Sequence, residues 1–375
     1  MLLAMSASTT IAGEPTVLAP VACLSALCDA ATAAVGFSES DAHDVRAALV
    51  AASLRSLPGQ GQGVQSLSKY IDRVQSGVIN PRAEITEVAG GGAVRLFDVH
   101  RAHGAISGTR AIRKAIELAG EFGIGAVGVK DSTHLGVAGY YAELAAASGC
   151  IGLVFTNAGP EIAPWGGTQA VVGTNPWAVA APTRFGWPAV LDMANSTSGM
   201  GMVRWHQLTG RPVPNDWCLT ANGERTTDAA KALAGTLFPL GGAKGYAMAF
   251  MMDILTGVLT GSAVGLNCFG PDHQNVGHLL VAVRIEAFSP IEEFLDRVDL
   301  LVTQIRSSPA ASDRTTVPAA GHGPIRIPGE LEAGRRQERE QNGVPIPTDR
   351  FELLLKTAAE LELDSELIAQ LEACR

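Results

Sequence analysis

The sequence predicts a layered α/β enzyme, and three observations carry that reading. Strand and helix patterns alternate from Ser107 to Met193. The first 80 residues read instead as a helical unit. Glycine, asparagine and proline gather between Asp131 and Pro176, just after the central strands, where α/β proteins place their ligands. That segment is expected to form the floor of an active site.

Composition narrows the class. A chain of 375 residues can bury a sizeable core in one large domain or several smaller ones. Hydrophobic residues at 47% against 17% charged exclude a disordered chain. The formal net charge is −9 and no basic stripe occurs, so no nucleic-acid partner is expected. Six cysteines, Cys23, Cys28, Cys150, Cys218, Cys268 and Cys374, form no CxxC pair. Free thiols in a reducing, cytoplasmic compartment follow. The start, MLLAMSASTTIAGEP, lacks a basic n-region and a long apolar run. The apolar stretch from Gly245 to Gly265 is interrupted by Asp253 and by Gly257 and Gly261. It reads as a buried helix, and no membrane partner is expected.

The elements follow in order. Residues 1–15 read as a loose tail. Pro20–Val35 is an Ala-rich helix, and Ser38 or Ser40 caps a second helix reaching Arg55. Pro58 with Gly59, Gly61 and Gly63 makes a break before a third helix, Gln65–Ser76. Ser107–Phe122 is an amphipathic helix, Ala126–Lys130 a strand, Val137–Ser148 a helix and Cys150–Thr156 a strand. Two more strands follow at Trp177–Ala181 and Ala189–Met193, then a helix over Tyr246–Leu259 and a strand at Leu279–Ile285. Ile291–Ser307 is helical, residues 308–348 read as a long surface excursion, and Phe351–Cys374 is helical again.

Gly123-Ile124-Gly125-Ala126-Val127-Gly128 matches G-x-G-x-x-G. The Rossmann device needs a strand before this motif and a helix after it, so that pyrophosphate meets the helix N-terminus. Here a helix precedes and a strand follows, so the match is a helix-to-strand connection. Any nucleotide must be held by another device.

Four places offer chemistry. His134, in Asp131-Ser132-Thr133-His134-Leu135-Gly136, sits between a strand and a helix and can exchange a proton near neutral pH; a helix-capping histidine is the alternative. Asn157-Ala158-Gly159-Pro160 and Gly173-Thr174-Asn175-Pro176 bring backbone close to a ligand or form ordinary turns. Asp192, ahead of Asn195-Ser196-Thr197-Ser198, either holds a ribose or orients a base, or stabilises a turn. Leu240-Gly241-Gly242-Ala243-Lys244-Gly245 opens a helix whose N–H groups, with Lys244, suit an anion. No metal site is expected: His100-x-x-His103 and the His273–His278 pair lack a third ligand.

Together these motifs resemble the malate/L-lactate dehydrogenase family of NAD(P)-dependent reductases. The resemblance runs from about residue 20 to 375 through THLGVAGYYAELAAASG, TNAGPEIAPWGG, GTNPWAVAAPT, LDMANS, GGAKGYAMAFMMDILTGVLTG, NVGH and IPGELE. It implies a non-Rossmann fold: a mixed-sheet nucleotide-binding domain over 91–307 and a helical substrate and dimerisation domain from 16–90 plus 308–375. It implies reduction of a C=O or C=N bond beside a carboxylate, with NADH or NADPH, by a homodimer. By position, His134 would face substrate and nicotinamide; Asp131 stands where the family has Asn, and would serve with His134 as base and acid if the chemistry is not redox. Tyr70 and Asn157 would lie on the substrate side. Gly173, Thr174, Asn175 and Pro176, then Asp192, Asn195 and Ser196, Lys244 and Gly245, and Pro328, Gly329 and Glu330 would form the cofactor groove.

The chain departs from the family pattern where the family reads Ser-His-Gly followed by Arg. The matching residues are Gly61-Gln62-Gly63 and Ser66. Gln62 hydrogen-bonds but cannot donate a proton at neutral pH, and Ser66 has no charge. Arg55 lies near the same break as a substitute anion anchor. Further on, Gly201-Met202 replaces a Gly-Lys pair. Two readings follow: a reductase with altered chemistry, for which a C=N substrate suits best because a protonated imine needs less help from an acid, or a repurposed non-redox isomerase, lyase or cyclase.

Overall fold

The computed structural model describes residues 16–57, 60, 62–270, 272–309 and 325–375. The tail 1–15, Pro58, Gly59, Gly61 and part of the 308–348 excursion lie outside the described residues.

A seven-stranded mixed sheet forms the centre, and a helical layer built from both ends of the chain packs beside it. The sheet runs, in spatial order, Thr86–Gly91, Val94–Asp98, Ile124–Ser132, Val276–Arg284, Cys150–Thr156, Trp177–Ala181 and Ala189–Met193. Only Val94–Asp98 with Ile124–Ser132 is parallel; the other pairs are antiparallel. Cys150–Thr156 alternates buried and half-buried residues along its length, the period-two signature of a strand. The sheet begins at Thr86, slightly ahead of the 90/91 division read from the sequence.

The G-x-G-x-x-G run behaves as its order requires. Helix Gly104–Phe122 ends at Gly123, which is left-handed (φ 80°), and the strand starts at Ile124. The helix lies so close on this strand that a Cβ at Gly125 would sit 2.1 Å from the Ala115 carbonyl oxygen. Ala111, Ile112, Ala115, Leu118 and Ala119 form its buried face.

The helical layer comprises Val21–Ala34, Glu39–Arg55 and Leu67–Gln75 together with Thr348–Glu360 and Ser365–Glu372. Leu24, Leu27, Leu49, Leu67, Phe351 and Leu354 share its core. A smaller core around Ile162, Val203 and Leu237 backs a four-stranded sheet. Among the described residues no helix is long and apolar enough to cross a membrane. The stretch from Gly245 is helix Ala243–Asp253, continued as a π-helical turn over Ile254–Val258; it is not the buried helix expected, since it exposes Phe250, Met251 and Val258 and buries only Gly245, Ala249, Asp253, Thr256 and Gly257.

Two further expectations are corrected. The excursion contains helix Glu330–Asn342 and strand Val344–Pro347, which pairs antiparallel with Thr16–Ala19. That helix is polar almost throughout and buries only Arg339, so no apolar stripe announces it. Arg339 Nη1 donates to the carbonyls of Ser53 (2.6 Å) and Ser56 (2.7 Å), clamping the end of Glu39–Arg55. The C-terminal helix is two helices, broken where Glu362 takes φ 52°.

Candidate active site

A cleft of about 2380 Å³ opens between the helical layer, the C-terminal ends of the central strands and the segment after Met193. Its floor is His134. The strand Ile124–Ser132 delivers the chain there, and four hydrogen bonds fix the loop. Thr133 Oγ1 donates to the Ala102 carbonyl (3.1 Å) and accepts from Gly104 N (3.0 Å). The His134 amide donates to Gln274 Oε1 at 3.2 Å. Tyr141 Oη donates to the Leu135 carbonyl at 2.7 Å. Gly104 must be glycine here, because a Cβ would lie 2.2 Å from the His134 carbonyl oxygen.

Tyr70, from helix Leu67–Gln75, meets His134 from the opposite wall: Oη and Nδ1 are 2.9 Å apart. Burial first, then Lys69 and Arg73, push the His134 imidazolium down to about 3. Burial pushes the Tyr70 phenol up to about 12. Both groups are therefore neutral at pH 7. When Tyr70 donates, the ring proton sits on Nε2; when His134 donates, Nε2 is a free acceptor. One hydrogen bond thus supports proton delivery and proton uptake. His103 backs Tyr70, with ring centroids 4.4 Å apart. Its Nδ1 accepts from Ala105 N at 3.0 Å, which puts the proton on Nε2, a buried atom with no hydrogen-bond partner. Beneath the floor Thr156, His278, Ser132 and Ser107 form a buried hydrogen-bonded chain with steps of 2.8, 2.9 and 2.8 Å.

Gln62 and Ser66 line the facing wall. Gly63 brings that wall against Ser53, with Val64 N donating to Ser53 Oγ at 2.8 Å; a Cβ at Gly63 (φ 87°) would strike Ser53 backbone at 2.7 Å. The Arg339 clamp holds the same Ser53, so the helix hidden in the expected surface excursion sets the wall's position.

The cleft also receives Arg55, Asn157, Thr174, Pro176, Asp192, Pro328 and Gly329. Arg55 is not a free anchor: its guanidinium pairs with Glu143 at 2.6 Å. Asp192 accepts from Gly139 N at 2.9 Å, and burial raises its carboxyl against the opposing pull of Arg55. Asn157 is 2% exposed and spends its amide inside the protein, donating to the Ala263 carbonyl (2.8 Å) and accepting from Gly277 N (2.9 Å).

Eight expected site residues do not line the cleft. Asp131 (φ 53°) groups with Asp98 and His100 on another face, where Lys130 already pairs with Asp98 at 3.0 Å. Burial, then Asp98, raises its carboxyl. Asn175 is buried and accepts from Ala158 N (2.9 Å) while donating to the Ala249 carbonyl (2.8 Å). Asn195 accepts from Trp177 Nε1 and donates to the Asn175 carbonyl. Ser196 Oγ donates to the Ser198 carbonyl. Gly173 and Gly245 are packed against backbone. Lys244 is exposed outside the cleft, and Glu330 accepts from Ile327 N at 2.9 Å. Asparagine after a strand end has two uses, holding a ligand or holding loops together, and spacing alone does not separate them.

Sequence reasoning missed the charged groups: Lys69, Arg73, Glu161, Arg204 and Arg350 all line the cleft. The available signal was the run Lys69, Tyr70 and Arg73 on one helix beside the altered wall.

A dinucleotide fits this cleft. A drug-sized ligand needs roughly 300–1000 Å³, so cofactor and substrate can be accommodated together. Helix Ala138–Ala147 begins in the cleft at Gly136-Val137-Ala138, offering N-terminal amides to an anion. Gly329 (φ 92°) is a second such place, where a Cβ would meet the Pro188 oxygen and Val190 nitrogen at 3.0 Å.

Comparison with known proteins gives the same answer as the motifs. The malate/L-lactate dehydrogenase profile matches residues 20–354. The chain is 38% identical over 284 residues to malate dehydrogenase of Pyrococcus abyssi, covering 73% of this chain and 78% of that protein. It is 33% identical over 309 residues to L-sulfolactate dehydrogenase of Methanothermobacter thermautotrophicus, covering 81% and 86%. The crystal structure of malate dehydrogenase from Entamoeba histolytica superimposes with a TM-score of 0.88 at 28% identity, over 93% of this chain and 99% of that one. A non-Rossmann mixed sheet, a cleft of dinucleotide size and matches over most of the chain thus converge, and the chain belongs to the malate/L-lactate dehydrogenase family of NAD(P)-dependent oxidoreductases.

Proposed function

We propose that the protein reduces a C=N or C=O bond beside a carboxylate in a small metabolite, with NADH or NADPH, and that a C=N bond is the better substrate. The observation that carries this reading is the neutral His134–Tyr70 pair on the cleft floor, facing a wall formed by Gln62 and Ser66. The bound nicotinamide would supply the hydride. For a C=O substrate His134 Nε2 then delivers a proton to the alkoxide oxygen while Nδ1 takes the Tyr70 phenol proton, so His134 stays a neutral imidazole and the negative charge passes to the Tyr70 oxygen. Gln62 offers a hydrogen bond but no proton at neutral pH. A protonated imine already carries the proton a ketone must acquire, so the missing acid matters less for it. Gly136-Val137-Ala138 and Pro328-Gly329, with Asp192 between them, form the groove for the cofactor.

We assign the working unit as a cytoplasmic homodimer. The exposed apolar residues Phe250, Met251 and Val258 on one continuous helical segment, with Leu259 at its cap, support the dimer.

The test is nicotinamide fluorescence on titration with the protein, followed by NADH and NADPH oxidation with cyclic imine carboxylates and 2-oxo acids. Binding plus oxidation is the expected result. Binding without oxidation by any substrate overturns the reading in favour of non-redox chemistry.

A further inference from the structure

The charged groups of the cleft have no partner in the chemistry above. Lys69 precedes Tyr70 on the helix that reaches His134. Glu161 comes from the short strand Pro160–Ile162, which follows Asn157. Arg204 comes from helix Met200–Leu208. Three distant segments thus bring an ammonium, a carboxylate and a guanidinium to one cleft.

They interact electrostatically but do not pair. Lys69 and Arg204 both draw the Glu161 carboxyl down against the larger upward push of burial. Burial, then Arg73 and Arg204, push the Lys69 ammonium down to about 8, with Glu161 pulling the other way. Yet among the described residues Lys69, Glu161 and Arg204 make no ion pair within 4.0 Å and no side-chain hydrogen bond. A purely structural triad would close into direct contacts, because an unpaired charge in a partly desolvated site is costly. A gap between opposite charges is what a small ligand with both signs would fill. The group also lies beside the reacting centre, since Lys69 adjoins Tyr70, which meets His134 at 2.9 Å, and its charge has the largest effect of any on His134.

We propose that Glu161, Lys69 and Arg204 form a two-signed subsite selecting ligands that carry a carboxylate and a protonated nitrogen together. The carboxylate lies on Lys69 and Arg204, and the N–H⁺ group donates to Glu161. Lys69 and Arg204 therefore do the anchoring work that Ser66 cannot. This deepens the reductase reading by naming the substrate class, a zwitterion, and rests on that reading only for the ligand's later fate.

The experiment is calorimetric titration of the protein with NAD⁺ or NADP⁺ present, at pH 7, using matched pairs. L-pipecolate and L-proline carry both charges. Tetrahydropyran-2-carboxylate and tetrahydrofuran-2-carboxylate keep the ring and the carboxylate but replace nitrogen by oxygen. The nitrogen ligands are expected to bind at least tenfold more tightly. Glu161→Gln should remove that preference, Glu161→Asp should retain part of it, and Lys69→Met or Arg204→Met should weaken all four ligands about tenfold. A wild-type ratio within threefold, or a ratio that Glu161→Gln leaves unchanged, overturns the proposal. If Glu161→Gln fails to fold, the wild-type ratio alone decides. Cofactor oxidation is scored separately. A protein with Glu161-dependent selectivity that never oxidises NADH or NADPH keeps this inference and loses the reductase reading. One that oxidises the cofactor without nitrogen selectivity does the reverse.

Discussion

Three histidines held neutral inside the protein should make it acid-sensitive in a way that can be counted. His103 and His278 are 2% and 0% exposed, and His134 is half-buried. Burial is the leading cause in each case, and all three are lowered from 6.5 to about 3. Below about pH 6.5 the unfolded chain protonates these rings while the folded chain does not. The unfolded state then binds more protons, so stability falls as pH falls from about 6.5 towards 3. Each ring contributes a slope of about 1.4 kcal/mol per pH unit within that window, so three contribute about 4. A domain of ordinary stability, roughly 5–15 kcal/mol, should therefore unfold within a few pH units of 6.5. His103→Asn is the informative change. Asparagine caps a helix well, so the acceptor for Ala105 N is kept while the titrating ring is lost. Urea unfolding followed by tryptophan fluorescence at several pH values between 4.5 and 6 gives the slope directly. The variant should lose about 1.4 kcal/mol per pH unit of the wild-type slope, whatever happens to its stability at pH 7. A variant slope equal to the wild type's would refute the claim that His103 is held neutral by folding.

Tyr70→Phe should lower kcat by roughly 10- to 100-fold with little change in KM, because one hydrogen bond worth about 1–3 kcal/mol is lost at His134; steady-state cofactor oxidation checks the split. The apparent KM for a carboxylate substrate should be flat below about pH 8 and rise above it, as Lys69 loses its proton, and the rise should vanish in Lys69→Met. Arg339→Leu should cost roughly 2–4 kcal/mol of stability, since it removes two charge-assisted hydrogen bonds; it should also raise KM by loosening the Gln62 wall, and no shift in the urea midpoint would sink that account.

Much of the fold was legible because burial leaves a periodic trace. The strand Cys150–Thr156 and the helix over Ala111–Ala119 show their buried faces in the sequence itself. Thr86–Gly91 shows no such trace, since every residue of this edge strand is exposed. Helix Glu330–Asn342 likewise rests on pairs such as Arg336–Glu340 and on one buried arginine rather than on an apolar stripe. The site divides the same way. His134 was found because its loop joins two recognisable elements. Lys69, Glu161 and Arg204 were not, because nothing local brings residues 69, 161 and 204 to one cleft. Asn175 and Asn195 lie outside the cleft and hold loops together, a task that calls for the same side chain as holding a ligand.

The strand order also governs how the molecule can be made. Val276–Arg284 lies between Ile124–Ser132 and Cys150–Thr156, pairing with both. During synthesis those two earlier strands emerge well over a hundred residues before the strand that joins them. Until it arrives each has a bare hydrogen-bonding edge facing the gap, and the cleft floor has no support. Pairings this distant in sequence are slow to form and leave strand edges open to other chains. A nascent chain halted near residue 270 should therefore depend on chaperones, and the enzyme should resist being split into two independently folding halves.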